Sequence, residues 1–474
     1  MTEKKKNIIV CLCDQLRASE VGCYGNEVIQ TPNMDALAKQ GTRFQHGISN
    51  DPLCMPARSI VVSGQYARTC SGQLNNTSIL FDAKRGVAGG WMMPPYPEMG
   101  RPHLPDQTLP ECLQSDGYHT AAIGKWHIHS WPNDVGFDEY VIPRTQHCHV
   151  GQHYTRNGGP EFVPPGFSVD FELDEIESFL DRQESEPFFL FYNISPPHTP
   201  LFDIPEEYRT MYDPADMPIR DNCFIDGVMA DSENVFKTYL YDNKQYFYKL
   251  PHTKKDLPDG FDLRHLYTQY YGATSWVDSA LGRLMKMLHD NGMEDDTIVL
   301  FTADHGDNLG SHHKWNKSLM YQESTSVPYI LHVPGVTEGT VVETQMVSHV
   351  DIMPTLLDLV GIDTPPHVQG RSVAPVIRGD EDVLPNNHVF IESEIQAVGI
   401  RTPQYTLAKR FDRTTGETSR ENMRLYDVQA DPFEMTNLAA SDPGHCAIAE
   451  LEGMLDDWHE HTPWMDIDQH VETN

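Results

Sequence analysis

The sequence predicts an α/β fold: a large, mostly parallel sheet flanked by helices on both faces. A smaller C-terminal α+β subdomain follows, with a short antiparallel sheet and a helix. Two observations predict this architecture. Apolar runs of strand length alternate with helical patterns between residues 7 and 333, which is typical of a parallel sheet with crossover helices. The chain has 474 residues, 39% of them hydrophobic, which is enough for one large core and a smaller one.

Each element follows from its local pattern. The first strand is a continuous apolar run, and the next helix begins at a Thr31 cap with a proline in its first turn. The longest helix carries an apolar stripe in which Val277, Leu281 and Leu284 recur at helical spacing. The predicted strands are residues 7–13, 119–124, 188–192, 297–303 and 329–333, and the predicted helices are residues 31–38, 54–64, 171–180, 263–289 and 351–361.

This pattern divides the chain into a catalytic α/β domain at residues 1–365 and a C-terminal subdomain at residues 366–474. The boundary falls in the proline-containing segment 363–366. Residues 200–260 follow neither period and are rich in Tyr, Phe, Asp and Pro, so we expect an insertion that carries specificity. The predicted elements of the subdomain are strands at 389–392, 397–401 and 406–409 and a helix at 445–459.

The charge of the chain excludes some partners. Its 69 acidic and 35 basic residues give a net charge of −34, which repels nucleic acid and anionic lipid. We therefore expect neither nucleic acid nor a membrane as a partner. The N-terminal stretch lacks the long apolar region of a secretory signal, and no apolar run is long enough for a membrane-spanning helix. A cytoplasmic location is expected, with a periplasmic one left open if a signal has been removed.

Polar residues follow the predicted strands at their carboxyl ends, where α/β sheets bind their ligands. Asp14 and Gln15 follow the first strand, and Asp304 and His305 follow the strand at 297–303. Carboxylate and amide oxygens suit Ca²⁺ or Mg²⁺, while an imidazole favours Mn²⁺ or a similar ion. The two acids could share one such cation, or each could cap its own loop. On these residues alone, the second interpretation is favoured.

Cationic candidates show the same placement. Lys125, His127, His198 and Lys317 each lie shortly after a predicted strand, and Arg58 is a fifth candidate. A single lysine or histidine is usually solvated or packed without a function. The recurrence of these residues at strand ends nevertheless indicates a site for an anion.

Cys54, Pro56 and Arg58 form a C-x-P-x-R motif at the start of a predicted helix. A helix N-terminus directs free N–H groups and positive potential outward, which suits an anionic substrate or intermediate. The alternative is a buried structural cysteine followed by a helix-compatible proline. On the motif alone, the two interpretations are comparable.

Taken in order, these motifs resemble the type I, formylglycine-dependent sulfatases of the alkaline phosphatase superfamily. The resemblance spans nearly the whole chain and departs from the common pattern at Gln15. Many members have a second aspartate there, while glutamine is also found in some sulfatases and in the branch resembling phosphonate monoester hydrolases. The resemblance is carried by Asp14, the C-x-P-x-R motif, Gly124-Lys125-Trp126-His127, Pro197-His198, Thr302-Ala303-Asp304-His305-Gly306, Trp315-Asn316-Lys317 and the stretches 351–357 and 425–438.

The resemblance implies two prosthetic features. A maturation enzyme would oxidise Cys54 to formylglycine, an aldehyde whose hydrate is the nucleophile. One divalent cation would be held by Asp14, Gln15, Asp304, His305 and the modified residue, with Ca²⁺ preferred and Mn²⁺ or Mg²⁺ as alternatives.

The resemblance also assigns roles to the cationic side chains. Arg58 and Lys125 would steady the formylglycine. His127 would be the base that later breaks the covalent hemiacetal. His198 and Lys317 would bind the sulfate oxygens and help to protonate the leaving alcohol.

The reaction implied is hydrolysis of a sulfate ester, of a sulfated carbohydrate or another small organosulfate, with release of inorganic sulfate. His312 is a further candidate neighbour of the site. One alternative is a phosphonate monoester or phosphodiester hydrolase with the same nucleophile and metal. A second alternative, a binding protein on an inactive scaffold, is disfavoured because every motif residue is present. The sequence leaves a homo-oligomer open.

Overall fold

The computed structural model describes residues 5–71, 100–101, 103–143, 147–183, 186–241, 256–393, 397–412 and 416–465. These residues contain a nine-stranded sheet, a four-stranded sheet and a two-stranded sheet. The strands are β1 (Asn7–Asp14), β2 (Thr42–Ile48), β3 (His119–Gly124), β4 (Glu139–Ile142), β5 (Thr155–Arg156), β6 (Phe188–Pro197), β7 (Phe224–Ile225), β8 (Val228–Met229), β9 (Thr297–Ala303), β10 (Tyr329–His332), β11 (Thr340–Ser348), β12 (Val389–Ser393), β13 (Ala397–Arg401), β14 (Tyr405–Phe411) and β15 (Thr418–Asp427).

The nine-stranded sheet has the order β11-β2-β10-β9-β1-β6-β3-β4-β5. The consecutive strands β9, β1, β6, β3 and β4 run parallel to one another. Strand β10 runs antiparallel to both of its neighbours, and β5 runs antiparallel to β4. The mostly parallel sheet predicted from the sequence is confirmed. Because the central strands share one direction, their carboxyl ends lie at one edge of the sheet.

Helices cover both faces of this sheet, as predicted. Strand β1 is buried along its whole length, and its side chains alternate between two apolar cores. Val10 and Leu12 belong to one core, and Ile9 and Cys11 belong to the other.

The helices are α1 (Pro32–Gln40), α2 (Cys54–Ser63), α3 (Ala67–Cys70), α4 (Leu109–Ser115), α5 (Ser168–Leu180), α6 (Glu206–Arg209), α7 (Glu233–Tyr241), α8 (Leu263–Asp290), α9 (Gln322–Thr325), α10 (Ile352–Leu359), α11 (Ala374–Arg378), α12 (Leu438–Ser441) and α13 (Cys446–His461).

The face that contains Ile9 is covered by α1, α5, α7 and the long helix α8. Helix α1 has the proline predicted in its first turn, but the predicted cap is not formed. The Thr31 hydroxyl instead accepts a hydrogen bond from the Gly22 N–H at 2.8 Å. Helix α8 is capped by Asp262, whose carboxylate accepts from the backbone N–H groups of the first turn, so its start is fixed locally.

The opposite face is covered by α2, α4, α10 and the C-terminal elements. Strands β12 to β15 form an antiparallel sheet, and Val398, Leu407 and Leu455 of this region share one apolar core with Val10. The predicted C-terminal α+β architecture is therefore confirmed. The division of the chain at residue 365 stays a prediction.

The predicted insertion at residues 200–260 contains α6, β7, β8 and α7, and residues 242–255 lie outside the described part. These elements are short, which explains why no period was visible in the sequence. Among the described helices, none combines the length and the apolar character needed to cross a bilayer.

Candidate active site

The carboxyl ends of neighbouring strands bring the predicted residues together. Asp14 ends β1, Lys125 follows β3, His198 follows β6 and Asp304 follows β9. These strands are successive neighbours in the sheet, and all four side chains are buried. Cys54, the first residue of α2, lies against the same cluster. The residues predicted at the strand ends therefore lie together in one compact site.

The Cys54 thiol lies inside a polar ring. Its Sγ is 2.8 Å from Lys317 Nζ, 3.2 Å from His305 Nε2 and 3.7 Å from Asp14 Oδ1. Burial raises the pKa of the Cys54 thiol, and Lys317 offsets only part of this rise. Because cysteine nucleophiles react as thiolates and need a lowered pKa, these surroundings do not favour a role for Cys54 as a thiol.

Arg58 lies one turn into α2 and binds the acid at the end of β9. Its Nε and Nη2 donate to Asp304 Oδ2 at 3.1 and 2.9 Å. Its Nη1 donates to Asn193 Oδ1 at 2.7 Å and to the Lys125 carbonyl at 3.1 Å. These hydrogen bonds go to neighbours of residue 54 rather than to Cys54 itself. Arg58 therefore holds Asp304 and the loop after β3 in fixed positions.

The lysines of the site differ in their partners. Lys125 donates a hydrogen bond to Asp14 Oδ2, and both side chains are fully buried. Lys317 Nζ contacts Cys54 Sγ and donates to Gln15 Oε1 at 3.1 Å. Among the described residues, no carboxylate lies within salt-bridge distance of Lys317. In the described part of the chain, Lys317 therefore brings to the site a positive charge that is not directly paired with an acid.

Four of the five predicted metal ligands lie together and could bind one divalent cation, while the fifth, Gln15, directs its Oε1 at Lys317 Nζ, 3.1 Å away. Ligand atoms of Asp14, Cys54, Asp304 and His305 lie within 4.8 Å of one another. His305 Nδ1 donates to the Gly306 carbonyl at 2.8 Å, and its Nε2 lies 3.4 Å from Asp14 Oδ1 and 3.5 Å from Asp304 Oδ1. Burial opposes ionisation of Asp304, but the cations around it outweigh burial and lower its pKa. This donor set fits Ca²⁺, Mn²⁺ or Mg²⁺.

Two histidines stack beside Asp14. The rings of His147 and His198 are parallel within 8°, with 3.7 Å between their centroids. Parallel stacked imidazoles direct their lone pairs side by side, so one metal ion cannot bind both rings in good geometry. His198 Nδ1 donates to the Thr199 carbonyl at 2.8 Å, which leaves Nε2 for another partner. The pair therefore suits hydrogen bonding to a substrate better than chelation.

His127, the predicted base, lies next to this pair, with its ring 6.3 Å from that of His147. Burial, and after it the charge of Lys125, lowers the pKa of His127 well below its usual range. A neutral imidazole results, which is the form that accepts a proton. The backbone does not continue the extended conformation of β3 at this residue, since His127 lies in the left-handed region with a φ of 48°.

Sequence reasoning missed three polar residues around the site: Asn193, His147 and Asp307. Asn193 is a polar residue directly after the apolar run 188–192, so the pattern predicts a strand that stops before it, whereas β6 continues to Pro197. His147 lies between β4 and β5, and the His147-Cys148-His149 pattern was the only local signal. Asp307 follows Asp304 in the same loop and contacts Gln15. The signal for Asp307 was its position within the Asp304 motif.

His312 was expected as a neighbour of the Cys54 site, but it contacts a different group of side chains. Its ring stacks on Tyr321 with 3.8 Å between centroids, and Asn222 Nδ2 lies 3.2 Å from its Nε2. With Glu323 and Glu434 it offers a separate set of ligand atoms. Glu323 is already paired with an arginine at 3.2 Å, so charge in this group is balanced within the protein.

Glu172 of α5 lies buried behind the loop that carries Lys125. Gly124, which precedes Lys125, adopts a φ of 86°. A Cβ at this position would lie 2.1 Å from the backbone carbonyl oxygen of Asn193 and 3.3 Å from Glu172 Cδ, so this strand end fits only glycine. Burial raises the pKa of Glu172 to about 8, and the Tyr154 hydroxyl, 2.7 Å away, offsets only part of the rise. In the folded protein the Glu172 carboxyl is therefore protonated at neutral pH.

We expect Glu172→Gln to flatten the pH dependence of stability. The unfolded carboxyl ionises near its ordinary pKa of 4.5, while the folded one keeps its proton up to about 8. Over that window the free energy of unfolding of the wild type falls as pH rises, by up to about 1.4 kcal/mol per pH unit, and the loss levels off above it. Urea titrations across the window would show a shallower fall for Glu172→Gln. The exposed Glu177→Gln, on the same helix, is the matched control, and equal slopes for Glu172→Gln and wild type would contradict the assignment.

Comparison with known proteins places the chain among sulfatases over most of its length. The family model described as Sulfatase matches residues 6–362. The model described as N-sulphoglucosamine sulphohydrolase, C-terminal, matches residues 310–461. The N-acetylglucosamine-6-O-sulfatase of Bacteroides thetaiotaomicron is 28% identical, over 92% of this chain and 83% of its own.

Solved structures share the fold. A protein in complex with its substrate D-glucosamine-2-N,6-O-disulfate superposes with a TM-score of 0.74 at 24% identity, and the match covers 99% of both chains. The phosphonate monoester hydrolase from Silicibacter pomeroyi superposes with a TM-score of 0.71 at 22% identity, over 97% of this chain and 96% of its own. At these identities, the likeness to the solved structures establishes the fold and leaves the substrate to other evidence.

Proposed function

Because the chain belongs to the sulfatase family and is a sulfuric ester hydrolase, we propose that it acts through a formylglycine made from Cys54. The observation that carries the proposal is the position of Cys54. It begins α2, and its sulfur lies among Lys317, His305 and Asp14 at 2.8 to 3.7 Å. As a hydrate, formylglycine supplies one hydroxyl for attack on sulfur, which expels the alcohol; the second hydroxyl then loses its proton and re-forms the aldehyde as its carbon–oxygen bond to sulfate breaks.

Lys317 is assigned to the sulfuryl group. Arg58 and Lys125 are each paired with a buried acid, whereas Lys317 contacts the neutral groups of Cys54 and Gln15. An ammonium without an acid partner can bind a sulfuryl oxygen and stabilise the negative charge that builds in the transition state. In a protein of net charge −34, an anionic substrate needs such a local positive charge.

Asp14, Gln15, Asp304, His305 and residue 54 would hold one divalent cation, with Ca²⁺ preferred and Mn²⁺ or Mg²⁺ as alternatives. When bound, the cation supplies Lewis-acid activation of the nucleophile. The chain contributes pre-organisation: Arg58 fixes the Asp304 carboxylate by two hydrogen bonds. The Nδ1 contact of His305 with the Gly306 carbonyl fixes which ring nitrogen faces the acids.

The histidines divide the proton transfers. His127 is neutral and buried, and we assign it as the base that takes a proton from the covalent intermediate. His198 presents Nε2 because its Nδ1 is engaged by Thr199. We assign His198, together with Lys317, to the oxygen of the leaving alcohol. The stack of His147 on His198 holds the His198 ring in place.

We propose a sulfated carbohydrate as the substrate. The relative at 28% identity is an N-acetylglucosamine-6-O-sulfatase, and the matched C-terminal model takes its name from N-sulphoglucosamine. Binding of a sugar also agrees with the aromatic-rich segment 200–241 beside the site. Oxidation of Cys54 would need a maturation enzyme as a transient partner. We also propose a cytoplasmic location for the protein.

A phosphonate monoester or phosphodiester hydrolase is the second candidate. The observation that favours it is Gln15, which stands where many sulfatases have an acid. A neutral side chain there lowers the negative charge around the cation. The fold of a phosphonate monoester hydrolase is shared over nearly the whole chain, so the scaffold accommodates either reaction.

Paired kinetics on confirmed aldehyde separates the candidates. Mass spectrometry of the peptide around residue 54 should show loss of H₂S and gain of one oxygen. Protein with that change should release sulfate from N-acetylglucosamine 6-sulfate and from 4-nitrophenyl sulfate. We expect its kcat/KM on matched phosphate diesters and phosphonate esters to be at least about tenfold lower. Turnover of the phosphorus esters alone would establish the second candidate instead.

A further inference from the structure

The Gln15 amide lies between two partners of opposite kind. Its Nε2 donates to Asp307 Oδ2, and its Oε1 accepts from Lys317 Nζ at 3.1 Å. A carboxylate only accepts and an ammonium only donates, so the amide has a single orientation. Turning it over would bring two acceptors together on one side and two donors on the other.

Asp307 is itself fixed by donors from two directions. Its Oδ1 accepts from the Tyr239 hydroxyl at 2.7 Å and from the Leu309 N–H at 2.8 Å. The Tyr239 oxygen accepts from the Asn316 N–H at 2.6 Å. Since a backbone N–H can only donate, the hydroxyl proton of Tyr239 is left for Asp307. Tyr239 therefore tethers both Asp307 and the residue that precedes Lys317.

We infer that Asp307 and Tyr239 are positioning residues that act through Gln15 to hold the Lys317 ammonium beside residue 54. The inference rests on the proposed function, since that function assigns Lys317 to the sulfuryl group. Tyr239 belongs to α7, within the predicted insertion at residues 200–260. The insertion thus helps to build the catalytic centre, whatever contacts it makes with a substrate.

The chemistry of an amide explains why position 15 is glutamine here. A carboxylate at this position would neutralise Lys317 and would also face the buried Asp307 carboxylate, and two buried like charges in contact are costly. The amide holds the ammonium in place and leaves its charge available for an anion. Gln15 and Asp307 therefore function as a matched pair.

An isosteric exchange tests the pair. Gln15→Glu places two carboxylates in contact, and Asp307→Asn removes the acceptor that orients the amide. The double variant restores a donor and an acceptor with their roles interchanged. We expect each single variant to lose Tm and kcat/KM, and the double variant to regain the Tm lost by Gln15→Glu. Its kcat/KM should stay at least about tenfold below wild type, because the carboxylate introduced at position 15 then neutralises Lys317 and adds a negative charge beside the proposed cation.

Two outcomes of the exchange would overturn the inference. A double variant with a Tm no higher than that of Gln15→Glu would show that residues 15 and 307 are not coupled. Full recovery of kcat/KM in the double variant would show that a neutral group at position 15 is not needed. The Tm cycle requires neither formylglycine nor a cation. If the wild type released no sulfate, the proposed function would fail, while the Tm cycle would still decide the pairing.

Tyr239→Phe and its control Tyr212→Phe separate positioning from general stability. Tyr212 lies in the same segment, and its hydroxyl contacts Ser275 Oγ at 2.6 Å and the Gln30 N–H at 2.8 Å. Both variants lose a hydroxyl with two partners and should lose Tm, Tyr239→Phe more so because its hydroxyl is buried and donates to a buried carboxylate. Only Tyr239→Phe should lower kcat/KM for sulfate release, by about tenfold. Equal effects of the two variants on kcat/KM would overturn the role of Tyr239.

Discussion

Replacing Cys54 with alanine is expected to lower sulfate release by on the order of 10⁴-fold or more, which is typical of removing a covalent nucleophile. The fold should survive. Alanine favours the helix that begins at this position, and the acids and cations around the sulfur keep their other partners, such as Arg58 with Asp304 and Lys125 with Asp14. The measurement is kcat for sulfate release, together with Tm, for purified wild type and variant.

The control for this prediction is Cys70→Ala. Cys70 ends the next helix, α3, is fully buried, and has its thiol 3.6 Å from the Gln65 carbonyl. It should lose some stability and keep its turnover. Activity of Cys54→Ala within about tenfold of the wild type would contradict the nucleophile assignment. Equal losses in both variants would indicate a structural role for buried cysteines.

Cys54→Ser adds a mechanistic test. A serine hydroxyl can accept the sulfuryl group, with the displaced proton passing to the departing alcohol. It lacks the second oxygen, which in formylglycine becomes the aldehyde oxygen as the bond to sulfate breaks. We expect at most one equivalent of alcohol per protein and then no further turnover. Sustained turnover by the serine variant would show that the second hydroxyl is not needed.

The strands of the sheet centre could be predicted because burial on both faces makes them continuous apolar runs. Strand β1 is buried at every position, and β3 and β9 were predicted with their observed ends. Strands β2, β4, β11 and β15 were among those not predicted: β2 is interrupted by half-buried polar residues, β4 has only four residues, and β11 and β15 are edge strands. Each of these two is the last strand of its sheet, and exposed residues interrupt its apolar pattern. An edge strand with exposed residues has a mixed polar and apolar sequence, which a surface loop can also have.

The site could be predicted as far as strand direction determines it. Asp14, Lys125 and Asp304 follow parallel strands, whose carboxyl ends meet at one edge. His147 reaches His198 from a connection whose path no periodicity reveals. The Gln15 amide donates to Asp307, whose carboxylate also accepts from a hydroxyl of α7 that lies far from both in sequence. Such contacts between distant segments arise from packing and have no local signature.

Replacing Lys317 with methionine is expected to lower kcat/KM by about 10²- to 10³-fold, the usual cost of removing one group that stabilises transition-state charge. Arg58 and Lys125 cannot compensate, because Asp304 and Asp14 already neutralise them. Methionine keeps the length of the side chain and fits next to Cys54 and Gln15. Lys314→Met, an exposed lysine of the same loop, is the matched control and should stay near wild type.

The leaving group shows how Lys317 acts. If its ammonium only stabilises charge, Lys317→Met should affect sugar sulfates and 4-nitrophenyl sulfate equally. If it also passes a proton to the alcohol, the loss should be larger for the sugar sulfate, since nitrophenolate leaves without protonation. We expect the unequal result, because the proposed function assigns both Lys317 and His198 to the oxygen of the departing alcohol. Activity of Lys317→Met on both substrates within about threefold of wild type would remove Lys317 from the mechanism.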